Sequence, residues 1–155
     1  METSAIFSPC GSYRYALWRR WAPGAYAMFV GLNPSTADET NDDPTIRRCV
    51  RFAQSWGYSA LCMTNLFAYR ATKPEDMKAA PEPLGFENDR VLLAMSSQAA
   101  IVIAAWGTDG PFKARDQAVR RLIPRLHYLR LTKDGHPQHP LYLPTKIRPT
   151  AWRPQ

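Results

Sequence analysis

The chain has 155 residues and carries 20 Lys and Arg against 13 Asp and Glu, a formal net charge of +7. That length suits one domain with a sheet covered on both faces, and 45% hydrophobic content excludes long disorder. No apolar run approaches the roughly 18 residues that a membrane-spanning helix needs, so no membrane partner is expected.

The basic balance fits a polyanionic partner, nucleic acid or a nucleotide, or else a basic surface that serves only solubility. Met1-Glu2-Thr3-Ser4 has neither the basic nor the apolar part of a secretory leader. Cys10, Cys49 and Cys62 are odd in number and far apart, so a reducing, cytoplasmic setting is expected and no short-spaced metal ligand set is present. No repeat or linker divides the chain, and residues 1–155 read as one domain.

Residues 13–21, Tyr-Arg-Tyr-Ala-Leu-Trp-Arg-Arg-Trp, are aromatic-rich with partial alternation and predict a strand turned back at Pro23-Gly24. Tyr13, Tyr15 and Trp18 either stack on bases or pack the sheet. The next run, Ala27-Met28-Phe29-Val30, stops at Gly31-Leu32-Asn33-Pro34-Ser35-Thr36-Ala37-Asp38. An apolar run ended by Gly and Pro is a buried strand entering a sharp loop. Loops at that end of a parallel sheet hold ligands, although Asn-Pro and Ser-Thr are also ordinary turn chemistry.

Asp42-Asp43-Pro44-Thr45 starts a helix, with Asp43 as cap and Pro44 in the first turn. Ile46, Cys49, Val50, Ala53 and Trp56 share its apolar face, with Arg47, Arg48 and Arg51 off it. Residues 58–65 predict a second buried strand ending in Asn65. Residues 74–84 read as a Pro-interrupted connection, and 85–98 as a helix with Val91, Leu92 and Met95 inward. Residues 99–106 are nearly all apolar, as in a strand buried on both faces. Residues 112–125 predict an amphipathic helix: Ala118, Val119, Leu122 and Ile123 face inward, Lys113, Arg115, Arg120 and Arg121 outward. Residues 126–132 predict a fourth strand, before Gly135-His136-Pro137-Gln138-His139-Pro140-Leu141-Tyr142-Leu143.

Alternating strands and helices argue for a parallel α/β sheet with right-handed crossovers. Asn33, Asn65, Trp106 and His139 each follow a strand, so residues more than a hundred positions apart can meet at one sheet edge.

Gly31-Leu32-Asn33-Pro34-Ser35 resembles the first signature of the uracil-DNA glycosylase superfamily, closest to its mismatch-specific and thymine-DNA branch. Thr64 to Pro74, Ala104-Ala105-Trp106-Gly107 and His139-Pro140-Leu141-Tyr142-Leu143 are similar to further segments of that branch, in the same order. The chain as a whole also resembles a bacterial family of domains of unknown function. The segments that carry this second resemblance are the Tyr-Arg-Tyr-x-Leu-x-Arg-x-Trp start at residues 13–21, Gly-Leu-Asn-Pro-Ser-Thr-Ala-Asp, Asp-Asp-Pro-Thr-Ile-Arg-Arg-Cys, Asn-Leu-Phe-Ala-Tyr-Arg-Ala-Thr and His-Pro-Leu-Tyr-Leu-Pro.

The glycosylase resemblance implies a three-layer α/β/α fold with a central four-stranded parallel sheet plus one N-terminal strand. It also implies a metal-independent enzyme, without cofactor, that cleaves the N-glycosidic bond of a uracil-type or modified base in nucleic acid. Asn33 would then position water and His139 would donate to the base oxygen where charge develops. Asn65 would read the base edge, and Tyr142 or Leu143 would fill the gap in the stack. Gly31, Pro34, Ser35, Arg70 and Trp106 complete the expected substrate-binding set, and Asp38 is the nearest carboxylate able to assist. Ser35, Leu141 and Tyr142 depart from that branch's pattern. The alternatives are a non-catalytic nucleobase or nucleic-acid binding module and an enzyme acting on a free nucleotide.

Overall fold

Apolar strand runs punctuated by Gly and Pro build one sheet in this computed structural model, which describes residues 1–153. The strands are β1 (Glu2–Phe7), β2 (Arg14–Arg20), β3 (Tyr26–Gly31), β4 (Ala60–Asn65), β5 (Ile101–Ala104), β6 (Leu126–Tyr128) and β7 (Thr150–Ala151). Their order across the sheet is β1-β2-β4-β3-β5-β6-β7. β3 pairs parallel with β4 and β5, and β5 with β6. β1–β2, β2–β4 and β6–β7 are antiparallel.

The expected fold therefore needs correction. An α/β class fits, but the sheet is seven-stranded and mixed, not a four-stranded parallel sheet with one strand added at the N-terminus. The added strands carry weak local signals. β1 is exposed along most of its length and is held by pairing with β2, while β7 is a two-residue exposed strand paired to β6. Their strand character comes from partners distant in sequence, which outweigh local propensity.

Helices cover both faces. On one, α1 (Pro44–Ser55) packs Ile46, Cys49, Phe52 and Ala53 against Phe29, Leu61 and Ile103. Val50 and Trp56, expected on that face, are only half-buried, and Phe52 takes the central place. The other face holds α2 (Pro74–Ala79), α3 (Asn88–Gln98) and α4 (Arg115–Leu122), which contribute Met77, Val91, Leu92 and Val119 to a core with Met28, Cys62 and Val102.

Two helical expectations are corrected. Residues 74–79 form a short helix, Pro74 fitting its first turn. The helix expected over 112–125 is broken near its start, where Lys113 and Ala114 both have φ 54°, and regular helix begins only at Arg115. Arg115, expected to face solvent, is buried. Its Nε donates to the Leu66 carbonyl at 2.9 Å and its Nη2 to Asp89. No described helix is long and apolar enough to cross a membrane.

Candidate functional site

The carboxyl ends of β3, β4 and β5 open into a cleft of about 900 Å³. Its walls are the loop after β3, the start of α1, the turn after β5 and residues 138–142. Backbone hydrogen bonds fix these walls to one another. Leu66 and Phe67 donate to the carbonyls of Gly31 and Leu32 at 2.8 and 3.0 Å, and Ala71 donates to Pro34 at 2.9 Å. Gly107 donates to Pro137 at 2.8 Å, tying the turn after β5 to the C-terminal segment.

Gly31, Asn33, Pro34, Ser35, Asn65, Trp106, His139 and Tyr142 all line this cleft. Asn33 is committed on its nitrogen side, with Nδ2 donating to the carbonyls of Ala71 at 2.8 Å and Pro34 at 3.1 Å. Its amide holds two loops together, and its oxygen is left to accept. Asn65 sits beside Gly31 in the parallel register. A Cβ on Gly31 would lie 2.8 Å from the Asn65 Oδ1, so only glycine leaves that amide its place. The Asn65 Nδ2 is buried and has no hydrogen-bond partner among the described residues.

His139 precedes a 3₁₀ turn, and its Nδ1 accepts from the Leu141 N–H at 3.2 Å. Burial lowers its pKa below the ordinary imidazole value, with the Asp43 charge pulling the other way. A neutral imidazole that accepts at Nδ1 carries its proton on Nε2, so His139 keeps one donor. The exposed ring of Tyr142 lies 5.7 Å away, centroid to centroid.

Trp106 lines the cleft, and its N–H edge faces Gly110, where an added Cβ would sit 2.6 Å from Nε1. Among the described residues the buried indole nitrogen has no partner, while the ring packs against Trp152 at 5.9 Å.

Arg70, Leu143 and Asp38 fall outside the lining. Arg70 donates to the Gly11 carbonyl at 3.1 Å and its guanidinium lies over the Phe7 ring, so it fastens the β1–β2 turn. Leu143, offered with Tyr142 as a wedge, is buried in the core beside α1, its carbonyl accepting from Arg48. Asp38 folds back on its own loop, accepting from the backbone of Thr40 and Asn41 at 2.9 and 2.8 Å. Those donors hold its carboxyl at about 2, well below the usual carboxylate range. The carboxylate at this end of the cleft is instead Asp43. Its Oδ1 caps α1 by accepting from Ile46 N at 2.9 Å.

Sequence reasoning missed Arg14. This β2 residue is 2% exposed and lines the cleft. Its Nη1 donates to the Ala37 carbonyl at 2.9 Å, and its Nε is buried with no partner among the described residues. Burial pushes its pKa down to about 10. In this aromatic strand the sequence assigned roles to Tyr13, Tyr15 and Trp18 and none to Arg14. Asn88 was also missed, and its Nδ2 holds the carbonyls of Asn65 and Leu66, both at 3.0 Å. Among the described residues, no group of three His, Cys, Asp or Glu is placed to hold a metal ion.

Residues 14–141 match the family described as "Protein of unknown function (DUF1643)", and the chain belongs to that family. No curated protein and no solved structure matches it.

Proposed function

We propose that the cleft binds a nucleobase and hydrolyses its N-glycosidic bond. The observation that carries this reading is the pairing of two groups in one cleft with opposite hydrogen-bonding roles. Asn33, tied down through Nδ2, offers an acceptor oxygen, and His139, fixed at Nδ1, offers an Nε2–H donor. A water held by the Asn33 oxygen attacks C1′. The C1′–N bond breaks and its electron pair leaves with the base. Negative charge collects on a base carbonyl oxygen, which the Nε2–H of His139 stabilises. The water's proton passes to solvent, because an amide does not take it at neutral pH.

Three further features support this reading. The unpaired Nδ2 of Asn65 suits a base carbonyl, and an unpaired buried donor is costly unless a ligand meets it. Tyr142, four-fifths exposed beside His139, is available to stack on a base. The loops Gly31 to Ser35 and His139 to Leu143 resemble the two glycosylase signatures. One observation favours a binding module instead: the Asp38 carboxylate, which the sequence offered as an assistant, is turned away from the cleft.

A base-release assay separates the two. Uracil-containing single strands, G·U duplexes and free nucleotides are incubated with the protein, and free base and abasic sites are measured. His139→Ala is expected to reduce release by about 100-fold, as for loss of one preorganised donor, and Asn33→Ala to abolish it. Binding without release in any substrate rejects the enzyme in favour of the module.

A further inference from the structure

We infer that Arg14 and the start of α1 form a seat for a phosphate monoester, so that the ligand is a nucleoside monophosphate. This rests on the nucleobase reading and names its substrate class.

Arg14 is a fixed positive charge at the base of the cleft, and its hydrogen bonding is unfinished. It is 2% exposed, and among the described residues its side chain makes one hydrogen bond, to Ala37, and leaves Nε without a partner. No carboxylate pairs with it among the described residues. The two other deeply buried arginines differ: Arg19 is paired with Asp42, and Arg115 with Asp89. A buried guanidinium without a counterion is unfavourable unless something anionic arrives. Its forked donors match phosphate oxygens.

A second feature of the cleft favours the same ligand. The first residues of the twelve-residue helix α1, Pro44, Thr45 and Ile46, line the cleft, which turns the positive end of the helix dipole toward it. Ser35, Thr36 and Thr45 bring three hydroxyls to the same lining, and none of these side chains is hydrogen-bonded among the described residues. A tetrahedral group with three free oxygens fits such a set better than a planar carboxylate. Asp43 opposes the anion, since its charge acts on Arg14 through space while its Oδ1 caps the helix. The two charges therefore act in opposite directions, and both directions can be tested.

Equilibrium binding is measured with uridine, uridine 5′-monophosphate, adenosine, adenosine 5′-monophosphate, inorganic phosphate and a short single-stranded oligonucleotide. The monophosphates are expected to bind about ten- to hundred-fold tighter than their nucleosides, the range of a charged hydrogen-bonded contact. Arg14→Gln removes that preference, Arg14→Lys keeps part of it, and Asp43→Asn, which retains the cap, increases it. Should Arg14→Gln fail to fold, the wild-type ratio and the other two variants still decide. Equal affinity for nucleosides and monophosphates overturns the phosphate seat and leaves the nucleobase reading intact. Phosphate binding that no nucleoside improves keeps the seat and removes the nucleobase reading. Binding of the oligonucleotide alone overturns the monophosphate, and no binding at all overturns both.

Discussion

The region around Arg19 and the cleft around Arg14 begin on the same strand, β2, and treat a buried guanidinium in opposite ways. Arg19 is saturated. Its Nε donates to Asp42 at 2.8 Å, Nη1 to the Trp18 carbonyl at 2.8 Å, and Nη2 to the carbonyls of Asp38 and Asn41 at 2.6 and 3.2 Å. It stitches the 38–42 loop to the sheet. Arg14 is equally buried, but among the described residues its side chain makes one hydrogen bond, and it lines open space. Full satisfaction marks a group that holds structure together, while an unfinished set at a cleft marks one reserved for a ligand.

Stability measurements give the sharpest test of that contrast. Arg19→Met is expected to cost about 3 kcal/mol, because it removes the bonds to three part-buried carbonyls and breaks the link to Asp42. Arg14→Met is expected to change stability by less than about 1 kcal/mol, or to stabilise, since it removes an uncompensated buried charge of similar volume. Urea unfolding of both variants decides. If Arg14→Met costs as much as Arg19→Met, Arg14 is structural and the contrast fails.

A smaller effect tests the cleft side alone. Gly31→Ala places a Cβ 2.8 Å from the Asn65 Oδ1 and 3.0 Å from the Met63 Cε. Overpacking of this kind costs about 1–3 kcal/mol. Displacing the amide is also expected to weaken nucleobase binding beyond what the stability loss explains. Ligand-induced shifts in melting temperature, compared between wild type and variant, read that difference.

The sequence carried much of this cleft but not the feature that distinguishes it. The Gly31–Ser35 loop, the Asp43 cap, Asn65 and His139 were all legible, because turn chemistry, capping and strand ends are local. Arg14 was not. Its guanidinium is tied to a carbonyl 23 residues away, and it meets the cleft only because residues distant in sequence line the same space. The same limit hid the burial of Arg115, whose partners lie in the loop after β4 and in α3, and the strands β1 and β7, which exist through pairing alone. Asp38 shows the reverse error. It stands close in sequence to the ligand loop, yet two backbone N–H groups of its own turn capture its carboxylate.

The smallest expected effect concerns the proton on His139. Desolvation lowers its pKa below 6.5, and the Asp43 charge partly restores it. Removing that charge with Asp43→Asn should move the titration further down, away from neutral, and an NMR titration of the ring Cε1–H reads the direction. The unfolded imidazole titrates near 6.5, so between that pH and the lower folded value the unfolded chain binds more protons. The stability that depends on neutral His139 is therefore fully present above about 6.5 and is lost as pH falls through the folded pKa. Protonation would also take away the Nδ1 acceptor that the Leu141 N–H uses. Base release should accordingly fall on the acid side together with the folding of the 139–142 turn, and in Asp43→Asn both should fall at a lower pH than in the wild type. An upward shift in that variant would mean that the imidazole and Asp43 do not share the cleft as described, and would remove the fixed Nε2–H donor on which the cleavage chemistry depends.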